Sequence, residues 1–341
     1  GGSVISTEDG FGAVYRTGYS ATWYKTADFS GSAVTGTPVN QEIYYAKWTK
    51  SDSVALTSTP AADENGKVSA TYDPDGAVTL SVQNPGAGWL YTWMKNGEQI
   101  SAVGNSLTLY TPSESGKYSV QIMTKGNNPL IWTSNEINVN ITKANVTNTA
   151  KENVHHTFGT TYDVSNLFNI DSNAGNATYT LAENTDENAG TATLEGNLLT
   201  VTKAGTVKVS LTTAQTDNYN AGNAVTATLT VDKATPTVKI SADQTSLTGS
   251  GTVKLTVTSN GVPAEDKIAV ICDGITVTEN KDGTFSATLP NQTKTYTFTA
   301  SYAGDDNHAE ASNTCQVSVT RHTSSSGSSN PTYSVTTPSK S

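Results

Sequence analysis

Apolar and polar residues alternate along most of the chain, in short runs bounded by Gly, Asn, Asp and Ser. The clearest runs are 78–82, 207–211, 253–257 and 296–300, where every second residue is apolar. This period of two is typical of β-strands that bury one face. No window of useful length repeats apolar residues at helical spacing. The pattern therefore predicts an all-β fold.

Two strand runs in the second half of the chain end in a similar turn. Thr216-Asp217-Asn218-Tyr219 ends one, and Asp305-Asp306-Asn307-His308 ends the other. Asp217 and Asp306 lie 89 residues apart, close to the length of one antiparallel β-sandwich of about 100 residues. The repeat predicts sandwich domains in tandem.

Length and charge narrow the class of protein. With 341 residues, the chain has room for about two to four domains. A net charge of −10 and the absence of a basic stripe argue against nucleic-acid binding. Two cysteines are too few for a scaffold held together by disulfides. The sequence contains no run of 18 or more apolar residues, the length that a membrane-spanning helix needs. We expect an acidic extracellular protein, monomeric in this segment.

Residues 1–50 hold much of the aromatic content. Trp23-Tyr24, Phe29-Ser30-Gly31 and Tyr44-Tyr45-Ala46-Lys47-Trp48 resemble the Listeria–Bacteroides repeat, a small β-grasp module that occurs in strings on bacterial surface proteins. Members carry a further strand before a Gly-Gly turn, and this chain starts at Gly1-Gly2. The resemblance therefore implies a partial module. Its aromatic residues form either a small core or a platform on which sugars stack.

Residues 53–143 are predicted to form an immunoglobulin-like sandwich. Trp93 follows Leu80 by 13 residues, and Tyr118 stands where immunoglobulin domains have their tyrosine corner. The two positions that carry the disulfide in antibody domains are occupied by Leu80 and Val120. We expect these apolar side chains to fill the space around Trp93 by packing alone.

Residues 144–233 and 235–322 resemble bacterial immunoglobulin-like surface repeats. The first has a hairpin pattern around Gly196-Asn197, and the second ends in a turn that resembles the Tyr-x-Gly-Asp-x-Asn-Tyr turn of that group, with His308 at the last position. Residues 323–341 have the Ser- and Thr-rich composition of a linker. We call the four predicted domains, at 1–50, 53–143, 144–233 and 235–322, modules 1 to 4.

Candidate chemical sites are few. His155 and His156 are adjacent on a predicted strand, so their rings point to opposite faces and are badly placed to chelate one ion. Asp305 and Asp306 offer the oxygen ligands that calcium prefers. Asp and Asn also stabilise tight turns through their own backbone. A turn is the favoured interpretation, with calcium as the alternative; no other cofactor is indicated.

The two cysteines, Cys272 and Cys315, lie in the same predicted module. Cys315 alternates with Val317 and Val319, which indicates an inward-facing side chain. In an immunoglobulin-like strand order a third strand separates the two, too far for easy bridging. A buried pair of free thiols and a disulfide both remain open.

No nucleophile, base or metal motif in a usable arrangement is present, so we expect no enzyme activity. Both ends of the chain have the character of cut ends, which suggests an internal piece of a longer protein. The predicted function is a spacer or adhesive stalk on a bacterial cell surface or in a secreted protein. One alternative is a module that binds host or cell-surface glycan or protein through exposed Trp89 and Trp132, which lie in predicted loops at 86–89 and 127–132. Another is an accessory region of a large extracellular enzyme.

Overall fold

The computed structural model describes residues 11, 16, 18–39, 42–51, 53–82, 88–263 and 267–324. These residues form β-strands joined by turns. Short 3-10 turns occur at Pro112–Glu114 and Val164–Leu167. No helix within the described ranges is long and apolar enough to cross a membrane.

In module 1, β1 pairs antiparallel with β2, from Tyr19 opposite Lys50 to Tyr24 opposite Tyr45. Trp23 and Tyr44 are buried. The strands are β1 (Tyr19–Tyr24) and β2 (Tyr45–Lys50). This pairing gives module 1 a two-stranded sheet with an aromatic core, and its assignment to the β-grasp class stays a prediction.

Module 2 has the two-sheet arrangement of an immunoglobulin-like sandwich. Its strands are β3 (Ser53–Val54), β4 (Leu56–Thr59), β5 (Lys67–Thr71), β6 (Val78–Val82), β7 (Leu90–Lys95), β8 (Glu98–Gln99), β9 (Ser106–Leu109), β10 (Gly116–Met123), β11 (Ile131–Ser134) and β12 (Ile137–Thr142). One sheet has the order β4-β6-β9. In the other, β10 lies between β7 on one side and β11 and β12 on the other. Strand β5 pairs with β12 in parallel.

The core of module 2 forms around Trp93. Trp93, Leu80 and Val120 are all fully buried, and Val120 lies opposite Trp93 in the sheet. The hydroxyl of Tyr118 donates a hydrogen bond to the carbonyl of Glu114 at 2.6 Å. Burial, with the nearby Glu114 charge, raises the pKa of Tyr118 to about 12. The predicted core packing and tyrosine corner are therefore confirmed.

Module 3 places its strands in two sheets and a short pair. They are β13 (Thr149–Ala150), β14 (Val154–Thr157), β15 (Tyr162–Asp163), β16 (Phe168–Asn169), β17 (Ala177–Leu181), β18 (Thr191–Glu195), β19 (Leu198–Lys203), β20 (Gly205–Thr213) and β21 (Gly222–Asp232). The sheets have the orders β14-β21-β20-β17 and β15-β19-β18. The predicted hairpin around Gly196-Asn197 joins β18 to β19, and β14 pairs with β21 in parallel.

Module 4 is a sandwich of two four-stranded sheets. Its strands are β22 (Thr237–Ala242), β23 (Ser246–Thr248), β24 (Gly251–Asn260), β25 (Ile268–Ile271), β26 (Val277–Glu279), β27 (Phe285–Leu289), β28 (Lys294–Tyr302) and β29 (Ala311–Thr320). The sheet orders are β22-β24-β27-β26 and β23-β29-β28-β25. Alternate residues of β28, namely Tyr296, Phe298, Ala300 and Tyr302, are buried between them.

The predicted all-β fold of tandem immunoglobulin-like sandwiches is confirmed. By contacts between Cα atoms, the chain divides into two compact units rather than four. They comprise Gly1–Thr149 with Asn169–Thr178 and Leu211–Val225, and Ala150–Phe168 with Tyr179–Ser210 and Thr226–Ser341. Each unit contains residues of more than one module, and the module boundaries stay predictions.

Candidate functional site: the module junctions

The repeated turn in module 4 is organised by the carboxylate of Asp305. Its Oδ1 accepts hydrogen bonds from the amides of Asn307 and His308, both at 2.7 Å, and from Nδ1 of His308 at 2.9 Å. Its Oδ2 accepts from the hydroxyl of Tyr302 at 2.8 Å. Burial raises the pKa of Asp305, but these hydrogen bonds outweigh it and hold the pKa well below its ordinary value. The carboxylate is therefore used as the acceptor that closes the turn.

The sister turn in module 3 has the same backbone geometry. The Thr216 amide donates to the Tyr219 carbonyl at 2.9 Å, and the Tyr219 amide donates to Oγ1 of Thr216 at 3.1 Å. In module 4 the Asp305 amide donates to the His308 carbonyl at 3.0 Å. Thr216 therefore takes the place of Asp305, and Tyr219 takes the place of His308.

Each turn is paired with the segment that enters its module. The Ala144 amide donates to the backbone carbonyl of Asn218 at 2.9 Å, and the Asn220 amide donates to the carbonyl of Ala144 at 2.8 Å. The Lys143 ammonium donates to the carbonyl of Thr216 at 2.6 Å. The entering Lys-Ala dipeptide is thereby fixed to the turn by backbone and side chain together.

The same contacts recur in module 4 with Lys233 and Ala234. The Ala234 amide donates to the backbone carbonyl of Asn307 at 2.9 Å, and the Ala309 amide donates to the carbonyl of Ala234 at 2.8 Å. The Lys233 ammonium donates to the carbonyl of Asp305. Ala144 and Ala234 each form an isolated parallel bridge, with Tyr219 and His308 respectively. The sequence repeat is therefore also a repeated docking geometry.

The aromatic residue of each turn contacts an aromatic residue of the preceding module. Tyr219 meets Tyr72 at a ring-centroid distance of 5.2 Å and an interplanar angle of 72°. His308 meets Phe158 at 5.7 Å and 77°. Both are edge-to-face arrangements, the favoured geometry for aromatic pairs. We call these contacts, with their Lys-Ala segments, the second and third junctions.

Asn307 adds a clamp that belongs to the third junction. Its Oδ1 accepts from the Ala204 amide at 2.8 Å, and its Nδ2 donates to the Thr202 carbonyl at 3.1 Å. One side-chain amide thus satisfies a donor and an acceptor of the module 3 backbone, in the manner of a neighbouring strand. This clamp fixes the register between the two modules.

Trp132 forms the first junction, between modules 1 and 2. Its side chain is 1% exposed, meets Tyr19 at 5.7 Å and 62°, and donates from Nε1 to the Ser51 carbonyl at 3.1 Å. A Cβ on Gly18 would come within 2.6 Å of the Trp132 ring. The expectation of an exposed Trp132 in a loop is therefore wrong, because this residue lies in β11 and points inward.

Trp89 is half-buried. Its ring stacks on Trp132 at 5.2 Å and 14°, which covers one of its two faces. A role of Trp89 in ligand binding stays a prediction. Gly86 and Ala87, which belong to the same predicted loop, lie outside the described residues.

The remaining candidate residues take structural partners. Nδ1 of His155 lies 2.9 Å from Oδ2 of Asp232, whereas Nε2 of His156 lies 3.0 Å from the carbonyl of Thr160. The two histidines therefore have separate partners. Asp306, the second residue of the calcium alternative, is exposed.

The two cysteines are free thiols. Ile271 pairs with Thr299, and Phe298 pairs with Cys315, in the strand order β25-β28-β29. Cys272 follows Ile271 and so lies two strands from Cys315, about 9.6 Å away. Disulfides need Cα atoms about 4.4–6.8 Å apart, so the structure supports the free-thiol alternative. Burial raises the pKa of both thiols.

Sequence reasoning identified the turns but missed what they bind. The available signal was the Lys-Ala dipeptide, which occurs at 143–144 and again at 233–234, just where each module begins. Tyr72 and Phe158 carried no comparable signal, because they lie in segments of different sequence. Their equivalence is visible only in the backbone pairing.

No family model and no curated protein sequence matches the chain. Solved structures that match parts of the chain include three N-terminal domains of the bacteriophage RB49 highly immunogenic outer capsid protein (14% identity, covering 80% of this chain and 99% of that chain, TM-score 0.21). Another is Sidekick-1 immunoglobulin domains 1–5 (12% identity, covering 89% of this chain and 74% of that chain, TM-score 0.26). A third is Bacteroides ovatus SGBP-B bound to a mixed-linkage heptasaccharide (17% identity, covering 80% of this chain and 72% of that chain, TM-score 0.19). These TM-scores are too low to carry an argument about function.

Proposed function

We propose that this chain is a non-catalytic segment of a bacterial cell-surface or secreted protein and that it acts as a multi-domain spacer or adhesive stalk. The observation that carries the proposal is the repeated junction, in which an aromatic pair and a paired Lys-Ala segment join module 2 to module 3 and module 3 to module 4. A flexible linker would leave these groups in water. Contacts of this kind restrict the motion between modules, which a spacer that holds a binding head at a distance requires.

The second and third junctions share an aromatic pair and a lysine hydrogen bond, and each adds side-chain hydrogen bonds of its own. At the second, Tyr72 and Tyr219 supply the aromatic pair and Lys143 supplies the charge-assisted hydrogen bond. At the third, Asn307 adds two hydrogen bonds to the backbone of module 3. Intramolecular hydrogen bonds contribute roughly 0.5–1.5 kcal/mol each. At the second junction Lys143 also donates to Oε1 of Gln215 at 3.2 Å, so several contacts restrict motion at both junctions.

Backbone ¹⁵N relaxation of the full chain tests this proposal. Modules that are joined stiffly share one rotational correlation time, and modules joined loosely tumble separately and faster. We expect a shared value for modules 3 and 4, which separates in a variant that carries both Asn307→Ala and His308→Ala. Ile271→Ala is the matched control, since its side chain is 63% exposed in the same module.

Separate tumbling of modules 3 and 4 in the unmodified chain would exclude the stiff spacer. Surface labelling of intact cells with an antibody against this segment checks the location independently. The coding sequence on either side of the segment shows whether it belongs to a stalk or to a large extracellular enzyme.

A further inference from the structure

Strand β25 forms an open edge of module 4. It is the last strand in the sheet order β23-β29-β28-β25 and pairs on one side only, with β28. Among the described residues, no backbone hydrogen bond outside that pairing involves Ile268–Ile271. Alternate N–H and C=O groups of an edge strand point away from its sheet, where the backbone of another extended chain can bind them. The edge of β25 therefore offers backbone hydrogen bonds to a further strand.

Two other sheet edges of module 4 are protected. At β22 the Ile240 amide donates to Oδ1 of Asn313 at 3.3 Å, so a side chain of β29 occupies this edge. Strand β26 carries the charged residue Glu279. Side chains of these kinds prevent edge-to-edge pairing. The sequence of β25 is Ile-Ala-Val-Ile, which contains no charge and no proline.

The two faces of β25 differ in burial. Ile268 and Val270 pack on the core of module 4. Ala269 and Ile271 lie on the opposite, outer face and are exposed, and the exposed fraction of Ile271 is 63%. A strand added at this edge would therefore also cover apolar side chains on the outer face.

Opposite charges flank the strand. Lys267 precedes β25, and Asp273 lies in the turn that follows it. Both side chains are exposed, and within the described part of the chain neither belongs to an ion pair. Because side chains alternate between the faces of a strand, positions 267, 269, 271 and 273 share the outer face. Along that face the order is Lys, Ala, Ile, Asp.

This order is complementary to itself in an antiparallel pair. When two copies of β25 pair antiparallel about Val270, Lys267 lies opposite Asp273 of the second copy, and Ala269 lies opposite Ile271 of the second copy. The two-fold symmetry of such a pair makes each contact twice. Opposite charges on facing strands stabilise the pairing, whereas like charges destabilise it. Backbone, apolar side chains and charges therefore fit the same partner.

The charges also select one register. The nearest antiparallel registers that keep the outer faces together are centred on Ala269 or on Ile271. In the first, Lys267 lies opposite Ile271 of the second copy, and in the second, Asp273 lies opposite Ala269. An in-register parallel pair would place like charges side by side. Only the register about Val270 pairs both charges of each copy.

We propose that β25 pairs antiparallel with β25 of a second copy of this chain, which joins two four-stranded sheets into one sheet of eight strands and holds two chains side by side. The strand is short, and the net charge of −10 opposes association, so the dimer is reversible and depends on concentration. It replaces the monomer expected from the sequence. The proposal goes beyond the spacer role and does not rest on it, because β25 takes no part in the second and third junctions.

Sedimentation velocity of the full chain over a range of concentrations tests the proposal. We expect a reversible equilibrium between monomer and dimer. Lys267→Asp places carboxylates opposite each other at both ends of the pair, and Asp273→Lys does the same with ammonium groups, so each should weaken dimerisation at least tenfold. Lys239→Asp is the matched control, because Lys239 is an exposed lysine on β22, in the other sheet of the module. It should leave the dimer unchanged.

Charge exchange separates a lost contact from a lost fold. Equal amounts of the Lys267→Asp chain and the Asp273→Lys chain should form a heterodimer on mixing, because every charge then lies opposite its counterpart. The chain that carries both substitutions should dimerise like the unmodified chain. Near-ultraviolet circular dichroism confirms that each variant is folded.

The proposal is overturned if the unmodified chain stays monomeric at every concentration, or if its dimer persists unweakened in both single variants, which would assign it to another surface. It is also overturned if the mixture and the doubly substituted chain both stay monomeric. None of these outcomes bears on the spacer, because the relaxation test with Asn307→Ala and His308→Ala reports on modules within one chain.

Discussion

Phe158 occupies in module 3 the position that Tyr72 occupies in module 2. The Tyr72 amide donates to the carbonyl of Thr142 and the Phe158 amide to that of Asp232, both at 2.8 Å. Each ring makes an edge-to-face contact with an aromatic residue of the following module. In module 4 the equivalent position is Gly249, whose amide makes the same hydrogen bond to the carbonyl of Thr320. This position therefore carries no aromatic ring.

The pair Phe158 and His308 is expected to show an energetic coupling. Edge-to-face aromatic pairs contribute about 0.5–1.5 kcal/mol beyond the burial of their area. A double-mutant cycle of Phe158→Ala and His308→Ala, followed by urea unfolding, should return a coupling of this size. A parallel cycle of Phe158→Ala with Ile271→Ala should be additive, since Ile271 is exposed elsewhere in module 4. Additivity in the first cycle would show that the ring contact does not stabilise the junction.

Asp305 should make stability depend on acid pH. Burial raises its pKa, but the hydrogen bonds from His308, Asn307 and Tyr302 lower it by more, so the folded pKa lies below the ordinary value. Its stabilising contribution is therefore fully present above the ordinary aspartate pKa of about 3.9 and is lost as the pH falls through the folded pKa. Melting temperatures measured from pH 7 downward should fall less steeply in Asp305→Asn, which starts from a lower value at neutral pH.

Asp306→Asn is the control for that measurement, because Asp306 is exposed at the tip of the same turn. Its pH profile should follow that of the unmodified chain. If the pH profile of the melting temperature is flattened in Asp306→Asn and unchanged in Asp305→Asn, the prediction is contradicted, because the acid sensitivity then comes from Asp306.

Removal of calcium should change the melting temperature very little. The carboxylate of Asp305 already accepts four hydrogen bonds, three from the turn and one from Tyr302 at the end of β28, so a cation would have to displace them. Differential scanning calorimetry with calcium and with a chelator measures the effect. A large fall of the melting temperature with chelator, abolished by Asp305→Asn, would establish a calcium site at this turn.

Trp132→Ala should be among the most destabilising substitutions in module 2. The side chain is 1% exposed and lies against Gly18, Tyr19 and Trp89. Truncation of a buried Trp to Ala costs about 3–5 kcal/mol. Trp89→Ala should cost less, because the ring is only half-buried. Urea unfolding of both variants measures the difference, and equal losses would contradict the described packing.

Local pattern predicted much of the fold because alternation is a property of single strands. The runs at 207–211 and 296–300 became β20 and β28 with their apolar residues buried, and the core around Trp93 was identified from residue types and spacing. Exposure depends on more distant partners. Trp132 was placed on a surface loop because Asn127, Asn128 and Pro129 precede it, and nothing in that segment indicates that Gly18 and Tyr19 cover it.

The junctions were only half visible in the sequence for the same reason. The Asp-Asn turns repeat at a fixed spacing and could be found, but the residue that each turn contacts comes from a different module. Asn307 is a further case: its partners, Thr202 and Ala204, are bonded through their backbone atoms. Every residue type offers the same backbone atoms as partners, so a hydrogen bond to the backbone cannot be predicted from the identity of the partner residue.

The parallel strand pairs have a mechanical consequence. In each sandwich a strand near the start of the module pairs in parallel with its last strand: β5 with β12, β14 with β21, and β23 with β29. When the two ends of a module are pulled apart, such a pair is loaded in shear, and its hydrogen bonds must rupture together rather than one by one. The pairs extend over five, four and three residues respectively, so under tension module 4 should yield first and module 2 last.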